Sequence, residues 1–393
     1  MVDYSLLFRT YIVRSAQAMR DLLGRPWKRL PDDLREQALH TLGYALHLDA
    51  AWPATAEVLS QLAPLMEKAG YRDEWLPYLA RGLAQGLALH DERASAELHF
   101  QLGLLSYVQG LYDDAYQSFA ASAARWAALG VLDGQVRALN RLAGTCRMQH
   151  RPAEARVFID QALAQLPPDD PALSHAYLTR GLLAYDDNRF VDAEEDQRRC
   201  IALALLAKDP RLAAWGLVNL GVALRQQKRE EETLVTYRLA EQLFIEIDDV
   251  VNLAAVRMNM GNVYLMRDQF EEALRWYNLA EPVFSQTQDR YRLSDIYQNR
   301  GIAERSLGQL AAARADFARS LVYHQELNRI VGVAAIADAV GIVDMLDGDY
   351  ASAMTRFDEA LALLTSIDAQ DGPRGQLVKA HLAEAAIPNV AQR

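Results

Sequence analysis

Asparagine returns in this chain at an interval of forty residues, at Asn219, Asn259 and Asn299, and Asn262 follows the second of these by three. A carboxamide carries two donors and an acceptor, so a file of amides can bridge the N–H and C=O of an extended peptide without reading its side chains. The stretch MNMGNVYLMRDQFEEALRWYNLAEPVF places Asn259, Gly261 and Asn262 inside what is otherwise a helical pattern. Both residue types are poor in a helix interior. Two accounts fit such a column: amides that are solvated or bonded between helices and kept by duplication of a repeat, or amides kept to hold a ligand.

A second column, six residues after the first, reads Tyr107, Arg147, Tyr185, Arg225, Leu265, Arg305 and Met345. Aromatic and guanidinium groups are favoured as interface anchors. Arg137, Arg141 and Arg147 share one helix face, and like charges four apart are unfavourable without counter-charges. An acidic group on a partner would supply them, and so would Glu97 or Asp186 of this chain. Asp295 and Asp338 lie on the corresponding face further along, so a bound segment is expected to be oriented with its acidic part near the arginines and its basic part near these aspartates.

Catalytic chemistry has little to stand on. The sequence holds no G-x-x-x-x-G-K-[ST], H-E-x-x-H, G-x-S-x-G or C-x-x-C motif, and its eight histidines show no metal-ligand spacing. Neither an enzyme nor a cofactor or metal site is expected. A formal charge of -11 argues against nucleic acid or an acidic membrane as partner. No apolar run reaches the ~18 residues of a spanning helix. The two cysteines, Cys146 and Cys200, lie in helical patterns and fit a reducing compartment, so the expected location is cytoplasmic.

The elements that would position these columns come from a repeat. Aligned on Gly261, the chain shows Gly103, Ala143, Gly181, Gly221, Gly261, Gly301 and Gly341, spaced 40, 38, 40, 40, 40 and 40 residues apart. Twelve residues beyond each anchor the position is small except for Thr233. Sixteen beyond stand Phe119, Ile159, Gln197, Tyr237, Tyr277, Phe317 and Phe357, and nineteen beyond the position is Ser, Ala or Cys. Small residues recur where two helices approach closely, and a large one recurs where it fills the gap between hairpins. Seven beyond come Gly110, His150, Asn188, Lys228, Asp268, Gly308 and Gly348, which suit the turn inside a hairpin. Acidic residues such as Asp113, Asp114, Glu271 and Glu272 then favour the start of the second helix.

Small at the anchor and at plus 12, aromatic at plus 16 and small at plus 19 resembles the tetratricopeptide repeat, whose usual period of ~34 residues is lengthened here by helices of ~17 residues. The forty-residue form is similar to the repeats of kinesin light chain, Pins-type adaptors, Rap-type receptors and the sensor regions of maltose-activator-like regulators. The resemblance implies an all-α fold, a right-handed α-solenoid of stacked antiparallel helical hairpins. It also implies that the amide column faces a concave groove, and that Asn219, Asn259 and Asn299, with Asn262 beside them, contact a ligand backbone there. On that reading Arg225, Arg305, Arg137, Arg141, Arg147, Tyr107 and Tyr185 complete the partner-binding surface.

Three segments follow: residues 1–91, N-terminal helical hairpins with one degenerate repeat; residues 92–367, seven repeats; residues 368–393, a capping helix and tail. In the first segment, 4–23 and 32–49 read as helices separated by GRPWKRLP, where Pro26 and Pro31 break the pattern and Lys28 and Arg29 are the one positive patch. Ala63, Gly70, Leu79 and Gly82 keep the repeat register there, with Trp75 in place of a small residue. The expected function is a noncatalytic scaffold binding an extended peptide or partner segment. The alternative is a ligand-responsive sensor or an accessory subunit of a separate ATPase, protease or transcription factor. Association as a homodimer through terminal helices is left open.

Overall fold

The computed structural model describes residues 4–387 apart from residues 26, 28, 29, 70 and 71. Pro26, Lys28, Arg29 and Gly70 therefore lie outside the described residues. Among the described residues the regular structure is helical throughout, and the chain divides into two compact units, Met1–Leu212 and Ala213–Arg393.

The first unit holds α1 (Tyr4–Leu23), α2 (Asp32–Ala45), α3 (Trp52–Ala69), α4 (Arg72–Ala88), α5 (Glu92–Val108), α6 (Tyr112–Ala128), α7 (Leu132–Met148), α8 (Pro152–Gln165), α9 (Ser174–Asp186) and α10 (Phe190–Leu206). The second holds most of α11 (Pro210–Gln226), then α12 (Glu230–Glu246), α13 (Val250–Met266), α14 (Phe270–Gln286), α15 (Arg290–Ser306), α16 (Leu310–Glu326), α17 (Ile330–Leu346), α18 (Tyr350–Thr365) and α19 (Pro373–Ala386). Within each unit consecutive helices pack as hairpins, and the first helices of neighbouring hairpins also touch, α5 with α7, α13 with α15 and α15 with α17. Each unit is thus a solenoid segment of stacked hairpins.

The period follows from the parts. Helices α13 and α14 have 17 residues each, and each is followed by a three-residue link, which makes forty. Where the anchor spacing drops to 38, α8 and α9 shorten to 14 and 13 residues and a 3-10 turn, Pro171–Leu173, joins them.

The turn column takes positive φ at all seven positions, from 56° at Asp268 to 82° at Gly348. A left-handed residue ends the first helix and reverses the chain. Asp91, Asp249, Asp289 and Asp349 cap the helices that follow them by accepting from a backbone N–H three residues on.

The plus-16 ring lies on the anchor. A Cβ built on Gly221, Gly261, Gly301 or Gly341 would stand 2.3, 2.7, 2.7 or 2.6 Å from the ring of Tyr237, Tyr277, Phe317 or Phe357. At Gly181 the exceptional Gln197 takes the same place, donating from Nε2 to the Leu178 carbonyl at 3.1 Å. Small residues at plus 12 and plus 19 close the contact, all of them buried. The Ser122 and Ser320 hydroxyls donate to the Ala96 and Ser294 carbonyls at 2.8 Å. A further buried column, Trp126, Phe244, Phe284, His324 and Leu364, stands 23 residues past the anchor, and Trp126 and His324 lie on Gly134 and Gly332 in the next first helix.

The ends follow the same logic without the full pattern. Ala63, Trp75 and Leu79 are buried in the core of α2 to α5, and Gly82 admits Leu59 where a Cβ would come within 2.5 Å of it. At the other end α19 packs on α18 and buries Val378.

Gly261→Val should force Tyr277 off its seat and cost about 2–3 kcal/mol, in the range of core overpacking. The check is a urea melt: a midpoint equal to wild type would mean that this close approach carries no stability.

Candidate partner-binding face

The first-helix face of the second unit brings two of the four asparagines, Asn262 and Asn299, into one bonded group. Asn262 Oδ1 accepts from the Tyr277 hydroxyl at 2.8 Å and from Asn299 Nδ2 at 2.9 Å. One amide therefore ties α13 to α14 and to α15. Burial pushes the Tyr277 hydroxyl upward in pKa, and Asn299 and Arg225 act in the opposite direction. Tyr277 stays a neutral donor.

Asn219 and Asn259, in the same register, are half-buried and hold no hydrogen bond to another described residue. The column is divided: Asn262 and Asn299 are spent on the contact between repeats, and Asn219 and Asn259 keep their donors and acceptors.

Arg225 and Arg305 are also half-buried and make no ion pair or hydrogen bond to a described residue. Burial pulls the Arg305 guanidinium below its ordinary pKa, and Asp338 partly restores it. Their neighbours on the first helices behave differently. Arg257 pairs with Glu241 at 2.8 Å, Arg290 with Glu326 at 3.2 Å, and Arg300 with Asp316 at 2.5 Å.

In the first unit the arginines find their counter-charges at home. Arg137 pairs with Glu97 and lies 4.4 Å over the Phe100 ring, while Arg147 grips Asp186 with Nε at 2.6 Å and Nη2 at 3.1 Å. Arg141 is half-buried, and its charge holds down the pKa of both Tyr107 and His175. Tyr107 packs edge-on against Tyr112 at 5.6 Å, and burial raises its hydroxyl. Tyr185 packs on Phe190 at 5.5 Å. His175, which the sequence did not single out, is pushed down to about 3 by burial and then by Arg141 and Arg137, so it is neutral beside them.

The expected acidic end of the face is corrected by its partners. Asp338 is buried and bonds His381 Nδ1 at 2.7 Å, and Asp295 pairs with Arg329 at 2.9 Å. Their charges are answered within the chain, because the capping helix brings His381 over and the next repeat brings Arg329.

Nothing in this group is a paired nucleophile and base. Burial lifts the Cys200 thiol to about 12 and raises Cys146 as well, so neither is a thiolate at neutral pH. Among the described residues no group of three His, Cys, Asp or Glu side chains is placed to hold a metal ion, and no helix is long and apolar enough to cross a membrane. What the face can do is donate and accept hydrogen bonds and attract negative charge.

Residues 212–286 match the sequence model of the tetratricopeptide repeat. The match spans most of α11 and all of α12, α13 and α14. The fold is similar to that of a signal transduction ATPase with numerous domains from Pyrococcus horikoshii, which has a tetratricopeptide repeat sensor; identity is 13%, TM-score 0.64, and 91% of this chain covers 55% of that one. It is similar also to a Rap protein complexed with Competence and Sporulation Factor, at 11% identity and TM-score 0.56 over 96% of this chain and 99% of that one. Aspartyl phosphate phosphatase F from Bacillus subtilis follows at 13% identity and TM-score 0.53, over 92% and 94% of the two chains. At these identities the likeness is one of fold. No curated protein sequence matches the chain.

The Asn262–Asn299 bond between neighbouring hairpins should show as coupling of about 1 kcal/mol in a double-mutant cycle with alanine, whereas Asn219→Ala should change stability by no more than about 0.5 kcal/mol. Additive single mutants would show that the bond is not made in solution. His175 gives a pH signature. Its folded pKa of about 3 lies below the ordinary value of 6.5, so the unfolded chain binds more protons between the two. Its contribution is whole above pH 6.5 and is lost as the pH falls toward 3. His175→Gln should therefore lose less stability than wild type between pH 7.5 and pH 5 in matched urea melts.

Proposed function

We propose that this chain is a noncatalytic interaction scaffold that holds an extended peptide, or an extended segment of a partner protein, along the first-helix face of its second unit. The observation that carries the reading is the pair Asn219 and Asn259, half-buried amides without a hydrogen-bond partner among the described residues, one repeat apart in identical register. First helices of adjacent repeats stack ~10 Å apart, and an extended chain advances about 3.1–3.4 Å per residue. One amide then meets every third residue of the ligand. A Rap protein of similar fold has been solved in complex with Competence and Sporulation Factor, which supports ligand binding by a chain of this fold. Another protein of similar fold is named a phosphatase, but fold alone assigns no chemistry.

A second reading, a sensor or accessory subunit, is favoured by the Pyrococcus horikoshii ATPase, in which a tetratricopeptide array of similar fold is the sensor of a larger chain. The two readings share the peptide and differ in whether binding moves the array.

A displayed library of random nine-residue peptides, panned on the wild type, should enrich binders. In the folded double variant Asn219→Ala, Asn259→Ala those binders should weaken by about tenfold or more, near 1 kcal/mol for each lost pair of hydrogen bonds. Binders indifferent to the double variant would remove the amides from the site. A peptide-induced fall in radius of gyration by X-ray scattering would select the sensor, and an unchanged radius the static scaffold.

A further inference from the structure

Arginine is expensive to leave half-buried without a counter-charge, since desolvation disfavours the charged form and no carboxylate repays it. Arg225 and Arg305 are half-buried with no ion pair to a described residue, at the same register position two repeats apart, while Arg257 on α13 and Arg290 and Arg300 on α15 each hold a carboxylate. Burial has already lowered the Arg305 pKa, and the acid nearest in effect, Asp338, is engaged with His381. Around them, at minus 3, minus 2, plus 1 and plus 4 of α11, α13 and α15, every side chain is an amide, an apolar group or one of these two guanidiniums, and Asp295, at minus 6 of α15, is taken by Arg329. The equivalent position on α13 is Leu265, which packs partly buried beside Met258, and the exposed Met266 follows it.

We infer that the segment bound on this face is an acidic peptide with two carboxylates about six residues apart and an apolar side chain midway between them. The inference rests on the peptide-scaffold reading and gives its ligand a chemistry. The spacing follows from two repeat intervals of ~10 Å each, or ~20 Å, divided by the 3.1–3.4 Å rise of an extended chain. Arg225 and Arg305 take one carboxylate each through the planar guanidinium fork. Leu265 and Met266 meet the apolar residue, and Asn219 and Asn259 hold the backbone between. The chain's overall negative charge does not oppose this, because the ion pairs described above answer much of it locally and screening confines the rest.

The peptide library separates this inference from the reading beneath it. Sequences enriched on wild type should carry Asp or Glu at two positions six apart with Leu, Met, Ile or Phe between. A binder synthesised with both acids changed to their amides should bind at least tenfold more weakly. Arg225→Gln and Arg305→Gln, each checked for unchanged melting, should each erase the acid preference at one end and leave the other. Enriched peptides with no acidic bias, or with a bias that both arginine variants retain, would overturn the acidic ligand and leave the scaffold standing. A library that enriches nothing on the folded wild type would overturn both. Displacement of the acidic peptide by a nine-residue oligothymidylate at equal concentration would show that the arginines read any polyanion, and would equally overturn a peptide-specific site.

Discussion

The structure depends on how closely two helices approach at one point in each hairpin. The ring at plus 16 lies flat enough on the anchor that a single added Cβ would stand under 3 Å from it at Gly103, Gly221, Gly261, Gly301 and Gly341. Dispersion and burial at such a contact are large because both surfaces lose water and no void remains. The same approach dictates the other constants. Small residues are needed at plus 12 and plus 19 because the helix backbones are near, and the left-handed residue at plus 7 is needed because the chain must reverse within three residues. With those columns committed, the faces that remain on each first helix are the ones turned toward the next repeat and toward solvent.

The second interaction that shapes the molecule is ionic and local. Buried or half-buried carboxylates such as Asp316 and Asp344 each meet an arginine, at Arg300 and Arg314 respectively. Pairing of this kind adds little net stability compared with an apolar contact, yet removing one partner leaves the other uncompensated. It also explains why net charge was a poor guide to the partner. Much of the negative charge serves helix starts and pairs within or between repeats, whereas Arg225 and Arg305 on the first-helix face of the second unit hold no ion pair to a described residue.

Much of this was legible in the residues. Helix limits at Leu23, Asp32, Pro373 and Ala386 agree with the breakers and caps in the sequence, the helix expected over 32–49 ends earlier, at Ala45, and every residue of the turn column has positive φ although only three of the seven are glycine. A period repeated seven times averages out single exceptions such as Gln197, whose polar end finds the Leu178 carbonyl instead of apolar contact. The plus-23 column went unread because its members, Trp126, Phe244, Phe284, His324 and Leu364, share burial but not residue type. The site was legible in type and not in pairing. Arg137 with Glu97 and Arg147 with Asp186 were among the alternatives. Asp338 with His381 was not, because His381 belongs to a capping helix outside the repeat register. Which asparagines stay free depends on the preceding repeat: Asn299 meets Asn262, and the places equivalent to Asn262 before Asn259 and Asn219 are Val222 and Leu182, which offer no acceptor.

That inequality bears on where specificity resides in a repeat array. The anchor, plus-12 and plus-19 columns are nearly uniform because one steric condition governs them all, and a substitution there is answered in stability. The plus-4 column holds Tyr, Arg, Tyr, Arg, Leu, Arg and Met in turn, and the minus-2 column holds Gln, Arg, Thr, three Asn and Ala. No packing rule unites those side chains, so each repeat is free to carry a different one at small cost to the fold. Where such a column nevertheless returns to one residue type, contact between repeats accounts for Asn299, which Asn262 takes up, and leaves Asn219, Asn259, Arg225 and Arg305 without a hydrogen bond or ion pair to a described residue. The peptide proposed above would use them, since a backbone that crosses the repeats at a fixed rise presents the same chemical need at every step.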